Sequence, residues 1–596
     1  MCSNDSSFAA DNVILEEIDR WYQTFTKSDR YCMWQYRYFE AQRLYDGVLT
    51  FGEGSKYVDE KDFLNRNGIT ASANVVMPIV NTVIGIEIQN RFRVKATVDD
   101  NTADGEELSE ALSSYLLKIQ TQEGCDQNFC SILRDAVIGG LGWAELDYDS
   151  SDKIAKINRI EPSSIIFDCN DDTALLSNQK RIFRIMYMDT DDILKEFGEA
   201  AEVLDFNEDE WQRLRRELPK SIYDTDVTHR VIEYCERVLV DAWIGLRSSD
   251  GAQVTVLEEE HAALLSNVER TKAYVVCRTY ICQGKILRRG VVEPCLINTE
   301  LPYIPLVYQI DSFYNAPMGM VENLKSMQYG INVALSEYVS FSNGKLVFVK
   351  TNDEDVRENI RRHPEVFYRK NSVIPLQHDD QVVIDNWGKD MQAQAGVMQL
   401  FLELCKRTSG IEDESRGVPT NATSGIAQRL REQMSQRTIG FVFDHFRQFK
   451  VRVGNLIIRQ LQCSYAENIL VKIGREEDGN TFIMNFAVSD DRGNLRIIND
   501  ISVLKYHIVI EEIPVYNRSA SAGRFELEQL LQNPAFEMIM YSTDLLGKWV
   551  DNPEKVQQSF FDGMAKKMQL QEEIEARQAA RQQGLEQQNG QLPQQQ

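Results

Sequence analysis

From Ser424 to Cys463 the chain keeps apolar residues at helical spacing over many turns, at Ile426, Leu430, Met434, Val442, Phe446, Phe449, Val453 and Ile457. An amphipathic helix of that length must find an equally long apolar partner surface. Thr423 or Ser424 is placed to cap it, and Gly440 and Gly454 are the points at which it can bend. Between Gly425 and Gln462 it carries Arg429, Arg431, Arg437, Arg447, Lys450, Arg452 and Arg459 against only Glu432 and Asp444, a balance of +5 in a chain of formal net charge −26. Two loop-to-helix passages stand out nearby: Asn315-Ala-Pro-Met-Gly-Met running on to Asn332, and Ser409-Gly-Ile-Glu-Asp with Asn421-Ala-Thr-Ser-Gly-Ile-Ala427, which opens the basic helix.

With 596 residues, 43% of them hydrophobic, the chain has enough apolar surface for a large core and several domains. The acidic balance excludes a protein that grips nucleic acid over its whole surface, because phosphate binding needs clustered Lys and Arg. Eleven cysteines contain no CxxC pair, and the spacings Cys125 to Cys130 and Cys277 to Cys282 fit neither a zinc site nor a disulfide framework, so a reducing setting is expected. Met1-Cys-Ser-Asn-Asp has no basic start or apolar core, and the apolar run Met77 to Ile88 is interrupted by Asn81. Neither a signal peptide nor a membrane anchor is expected.

Periodicity predicts helix from Asp11 to Tyr45, ended by Gly47 and rich in aromatics that suit a core or a subunit contact; further helices are predicted over Asn74 to Arg91 and Glu106 to Thr121. From Gly139 the period changes to two. Trp143 to Asp149, Ile154 to Ile160 and Ile165 to Phe167 read as a small antiparallel sheet. Helix returns between Thr190 and Leu218, and strands between Thr228 and Gln309, with Ala273 to Cys282 and Lys285 to Val292 joined at Gln283-Gly284. A helix over Gly319 to Phe341, strands at Leu346 to Lys350 and Val373 to Leu376, an extended stretch over Ile469 to Val515 with turns at Asp478-Gly and Asp491-Arg-Gly, and a helix from Ser519 to Leu531 complete the pattern. The tail from Gln569 is Gln-rich and of low complexity.

No catalytic motif competes for attention. A P-loop needs GxxxxGK[ST] so that backbone N–H groups ring the phosphates, and Gly284-Lys285, Gly344-Lys345 and Gly547-Lys548 lack it. HExxH and GxSxG are absent; Ser177-Asn-Gln-Lys180 and Ser342-Asn-Gly-Lys345 match SxxK at a length that arises by chance. The acidic pairs at 99–100, 171–172, 191–192, 379–380 and 490–491 could in principle ligate Mg²⁺ for a nuclease, but their turn-like contexts favour solvated loops and helix caps. Gly139-Gly-Leu-Gly142 precedes a strand, whereas a dinucleotide fingerprint precedes a helix, and Asn421-Ala-Thr has no use as a glycosylation acceptor without secretion. Catalytic, metal and cofactor sites are therefore expected to be absent.

In order and spacing, Asn74 to Arg91, Gly142-Trp143, Arg159 to Asp168, Pro302 to Pro305, Gly319 to Ser336 with Gln328 and Asn332, and Ser409 to Gln433 resemble the portal proteins of podovirus-type tailed bacteriophages, with Phe92 where the family pattern has Pro. The resemblance implies an α+β portal fold: a mixed wing over 1–423, a stem helix over 424–463, a β-rich clip over 464–516, a second stem helix over 517–532, a helical crown over 533–585 and a disordered Gln-rich tail over 586–596. It also implies a homo-oligomer, a dodecameric ring at one capsid vertex of the virion, assembled in the host cytoplasm and not in a membrane. Double-stranded DNA would be packaged and ejected through that ring. Its partners would be the terminase large subunit, the major capsid and scaffolding proteins and the tail adaptors. A mostly acidic channel lets DNA slide, and a narrow basic girdle can centre it; the seven basic residues of the 424–463 helix would line that channel or pair with a neighbour's carboxylates. The alternatives are another virion ring or tail adaptor, and a metal-dependent nuclease using the acidic pairs.

Overall fold

The chain divides into two units, 1–512 and 513–596. The computed structural model describes residues 4–47, 71–89, 92–98, 103–120, 124–149, 154–202, 204, 228–247, 253–257, 262–263, 265–292, 299–343, 346–350, 354–362, 381–385, 388–411, 439–463, 469–473, 480–484, 486–489, 495–498 and 506–512, all in the first unit. The expected strand at 373–376, the turns at 478–479 and 491–493, the start of the basic helix, and the segments assigned to second stem helix, crown and tail lie outside the described residues.

The N-terminal periodicity forms two helices instead of one, α1 (Asn4–Thr26) and α2 (Asp29–Asp46). The break falls where Thr24 and Thr26 donate their hydroxyls back to the Arg20 and Tyr22 carbonyls, each at 2.7 Å, a pattern that weakens a helix. Gly47 closes α2 in the left-handed region at φ 77°, as the sequence predicts. The helix α3 (Val76–Gln89) starts with Asn74 Oδ1 accepting the Met77 N–H at 3.0 Å. Strand β1 (Phe92–Val98), α4 (Ala103–Gln120) and α5 (Cys125–Gly139) follow. Sequence periodicity misses α5, because buried residues cover most of its circumference and leave only a narrow polar side at Gln127, Ser131 and Arg134.

Next come β2 (Leu141–Asp149), β3 (Ile154–Ile160), β4 (Ile165–Phe167), β5 (Arg181–Asp189), α6 (Thr190–Phe197), β6 (Thr228–Arg247), β7 (Gln253–Val256), β8 (Leu265–Cys282), β9 (Lys285–Val291), β10 (Tyr303–Val307), β11 (Gln309–Ile310) and β12 (Pro317–Met318). The chain continues through α7 (Met320–Asn343), β13 (Leu346–Lys350), α8 (Glu354–Arg362), β14 (Gln381–Asp385), α9 (Gly388–Ser409), α10 (Gly440–Cys463), β15 (Ile469–Ile473), β16 (Asn480–Met484), β17 (Phe486–Ser489), β18 (Leu495–Ile498) and β19 (Tyr506–Glu512). These elements make the described residues α+β with antiparallel sheets, in agreement with the expected class.

β2 and β3 pair as predicted, but the third strand beside them is β10, not β4. β4 instead edges a second sheet of order β4-β5-β6-β8-β9, on which β7 pairs with β6. Gln283 and Gly284 turn the β8–β9 hairpin with both φ angles positive, 49° and 71°. Late in the unit, β15–β16 and β17–β18 are local pairs, whereas β19 crosses back to β1 in the register Phe92↔Glu512 to Val98↔Tyr506. The extended stretch that ends near Val515 is thus not a self-contained β insertion.

One apolar cluster joins α1 to α5, β2, β3, β10, α7 and α10, and a smaller one sits between α6 and the far side of the second sheet. The aromatics of α2 divide: Tyr31, Trp34 and Tyr38 are buried, and Tyr36 and Phe39 are exposed. Between the two sheets lies a buried polar network. Glu233, 2% exposed, forms an ion pair with the Arg278 guanidinium (2.8 Å) and accepts from the Tyr303 hydroxyl (2.7 Å), while Arg184 reaches Glu145 at 2.9 Å. Burial pushes the Glu145 carboxyl above its ordinary range, with Arg184 opposing the shift.

Backbone approaches around α5 are tight enough to exclude any side chain. A Cβ on Gly142 would lie 2.1 Å from the Ile132 carbonyl oxygen, and one on Gly319 would lie 2.1 Å from that of Ile138. Gly142→Ala should therefore destabilise the unit by about 2 kcal/mol or more in denaturant unfolding. Gly85→Ala, where a Cβ meets nothing within 4 Å in the middle of α3, should be neutral or stabilising by up to about 1 kcal/mol.

Candidate functional site

Of the seven basic residues proposed for the long helix, Arg447, Lys450, Arg452 and Arg459 lie on α10, and Arg429, Arg431 and Arg437 lie outside the described residues. The helix runs unbroken past Gly454. Val442, Phe446, Phe449, Val453 and Ile457 are all buried, so the apolar spacing read from the sequence marks the face that α10 presents to the core.

The basic residues do not share one environment. Lys450 is 5% exposed; its ammonium is 3.3 Å from Glu87 Oε1 on α3 and lies over the rings of Phe446 (4.5 Å) and Phe129 (5.2 Å). Arg452 is half-buried and donates to Glu300 Oε2 at 2.6 Å and to the Leu175 carbonyl at 3.3 Å. Arg447 is half-buried, and Arg459 is exposed with Nη1 donating to Gln462 Oε1 at 3.2 Å. His445 adds a 3.0 Å contact from its Nδ1 to the Val307 carbonyl on β10. Lys450 and Arg452 thus bind α10 to acids far away in the same chain. Charge counting alone cannot separate that role from one facing DNA or a neighbour.

A second construction sits on α7. Gln328, Asn332 and Ser336, four residues apart and at most 1% exposed, line one helix face and hold the segment Ala71 to Val75 as a neighbouring strand would. Gln328 Oε1 accepts from the Val75 N–H (2.9 Å) and its Nε2 donates to the Ala73 carbonyl (2.6 Å). Asn332 Oδ1 accepts from the Ala73 N–H (3.2 Å), and Ser336 Oγ both accepts from the Ala71 N–H (3.1 Å) and donates to its carbonyl (2.9 Å). Buried side-chain amides here satisfy backbone groups that no strand reaches.

The α7 helix also packs along α9, a helix absent from the sequence reading. Met327 meets Thr408, Gly330 receives the Phe401 ring and Glu337 accepts from Gln394, so numbers rise on one helix as they fall on the other and the pair is antiparallel. Between them the chain makes an excursion over 344–387 that contains the antiparallel β13–β14 pair and α8.

The acidic pairs within the described residues serve local structure. Asp171 accepts from the Thr173 and Asn178 N–H groups and from Gln179 Nε2, and Asp191 and Asp192 stand in the first turn of α6. Among the described residues no group of three or more His, Cys, Asp or Glu could hold a metal ion, and no helix is long and apolar enough to cross a membrane. One polar pocket, of about 250 Å³, is lined by Arg134, Asp135, Arg159 and Glu161 among others. Three of its charges are paired: Arg159 bridges Asp135 (2.6 Å) and Glu161 (2.7 Å).

The profile of phage P22-like portal proteins matches residues 49–596, and the chain belongs to that family. The portal protein of Helicobacter pylori bacteriophage KHP30 is 21% identical over 402 residues, which are 64% of this chain and 58% of that protein. The family is a structural one, and the resemblance read from the motifs holds across the chain.

Removing one partner of the Lys450–Glu87 pair strands a buried charge, so Lys450→Met should cost about 3–5 kcal/mol in unfolding free energy, and adding Glu87→Leu should recover most of it. Burial pushes the Asp135 carboxyl up to about 6 against the pull of Arg159. A carboxyl raised on folding binds its proton more tightly in the native state. Its contribution therefore favours folding at low pH and is lost as pH rises from about 4 to about 6. Asp135→Asn should flatten that part of the stability–pH profile, measured by urea unfolding at each pH.

Proposed function

We propose that this chain is the portal subunit of a tailed phage: a non-enzymatic, dodecameric ring at one capsid vertex through which double-stranded DNA enters and leaves. In this reading the ring docks the terminase large subunit during packaging and tail adaptors afterwards, and it is built into the shell with scaffolding and major capsid proteins in the host cytoplasm. The observation that carries it is the antiparallel α7–α9 pair with its β-containing excursion, found in a chain of the P22-like portal family.

That pair also supports a different assignment of parts from the one expected from the basic helix. We propose α7 and α9 as the stem and residues 344–387 as the clip, in place of 424–463 and 464–516. A paired-helix stem needs two long helices in mutual contact with an excursion at one end, and α7–α9 supplies both. α10 packs its apolar face into the core beside α3, α5 and β10 and so sits with the wing. The DNA-facing or neighbour-facing role proposed for the seven basic residues is kept for Arg429, Arg431, Arg437, Arg447 and Arg459. Lys450 and Arg452 hold the subunit together.

Electron microscopy of the purified protein, with native mass spectrometry for the subunit count, should show rings with an axial hole wide enough for duplex DNA. A dimer or a compact closed particle would sink the portal reading. In a packaging assay Arg459→Glu should leave the subunit folded: lost packaging with intact rings indicates a channel role, and lost rings indicate pairing between neighbours.

A further inference from the structure

Besides the seam that meets α7, the α9 helix carries a second apolar seam. Ala393, Val397, Leu400 and Leu404 are all exposed, at 40%, 55% and 37% for the last three. Their spacing of four, three and four is that of a helix–helix contact, and the run covers about 16 Å at 1.5 Å per residue. The residues that face α7 are Gln394, Phe401 and Thr408, with Cys405 buried between them. Each lies one residue beyond its counterpart in the exposed seam, or a helical turn from it. At about 100° of rotation per residue, the two seams stand roughly at right angles. The third side of α9 is polar, with Gln392, Gln399 and Glu403.

We propose that this second seam is the surface on which a neighbouring copy of the same chain packs, side by side with the α7–α9 pair. The inference rests on the ring reading and specifies where the copies touch. A helix pair that repeats laterally needs a contact perpendicular to the one inside the pair, and the angle between the two seams provides it. Because a ring contact is heterologous, the seam meets a different surface of its neighbour and does not pair with itself.

Gly396 points the same way. It lies on the edge of the exposed seam away from α7, in the middle of a 22-residue helix, where glycine weakens a helix relative to alanine. Among the described residues a Cβ there would meet nothing within 4 Å. The missing Cβ leaves room there for the close approach of another chain.

The test is the double variant Leu400→Lys/Leu404→Lys in the full chain, assayed by native mass spectrometry and thermal unfolding beside the wild type. The expected result is a monomer whose unfolding midpoint matches that of the wild-type monomer. Undiminished ring formation by the variant would overturn the proposal, and so would a lowered monomer midpoint, since the seam would then be covered by the subunit's own residues. A wild-type chain that never forms rings would instead remove the ring reading, and the proposal with it. Gly396→Ala supplies an independent reading: it should raise the monomer midpoint and lower ring yield at a given concentration, and unchanged or higher ring yield would overturn the close approach.

Discussion

Burial of α5 on nearly every side is the constraint from which the rest of the unit follows. Apart from its first turn, where Asp126 and Gln127 are exposed, the helix has to be enclosed by elements drawn from distant parts of the chain, and here α2, α3, α4, β2, β3, α7, β10 and α10 all close on it. Enclosure at that density leaves no room for side chains at several points of contact. Gly139 lies under the Tyr38 ring, Gly142 against the Ile132 carbonyl and Gly319 against the Ile138 carbonyl. The Asn315 to Asn332 passage matters for this reason: it brings α7 past the end of α5 with only a glycine between their backbones.

Buried charge then fixes which elements meet. Lys450 and Glu87 are separated by 363 positions in the chain, and the pair excludes alternative placements of α10, because any shift would leave both ions in an apolar, aromatic setting without a partner. Glu233 does the same between the two sheets by binding Arg278 and Tyr303. Such pairs add little net stability compared with apolar packing, and their effect is on register and placement. In a chain of net charge −26 they also account for part of the basic content of α10 without any nucleic acid.

Local chemistry was legible in the sequence. Gly47 stops α2, Gln283-Gly284 turns a hairpin, strand periodicity begins at Gly139-Gly140, and the apolar spacing in α10 is the buried face. Each depends on residues within a few positions of one another. Two helices were not legible, for opposite reasons: α5 is apolar around most of its circumference, and α9 carries two seams at right angles that blur a single period. The clamp of Gln328, Asn332 and Ser336 was visible only as a motif. Its purpose needed the segment 71–75, more than 250 positions away, to be placed beside it.

By itself the sequence determined the α+β character of the chain, most of its helices and hairpins, and the ordered set of motifs that marks a P22-like portal protein. Those signals are local, or are preserved as an order along the chain. Only the tertiary structure decided that β4 leaves its neighbours for the second sheet, that β19 returns to β1, that Lys450 and Arg452 face acids of their own subunit, and that the long antiparallel helix pair is α7 with α9. These outcomes depend on which distant surfaces can be buried together without leaving a charge or a backbone group unpaired. Periodicity along a single chain carries no record of that choice.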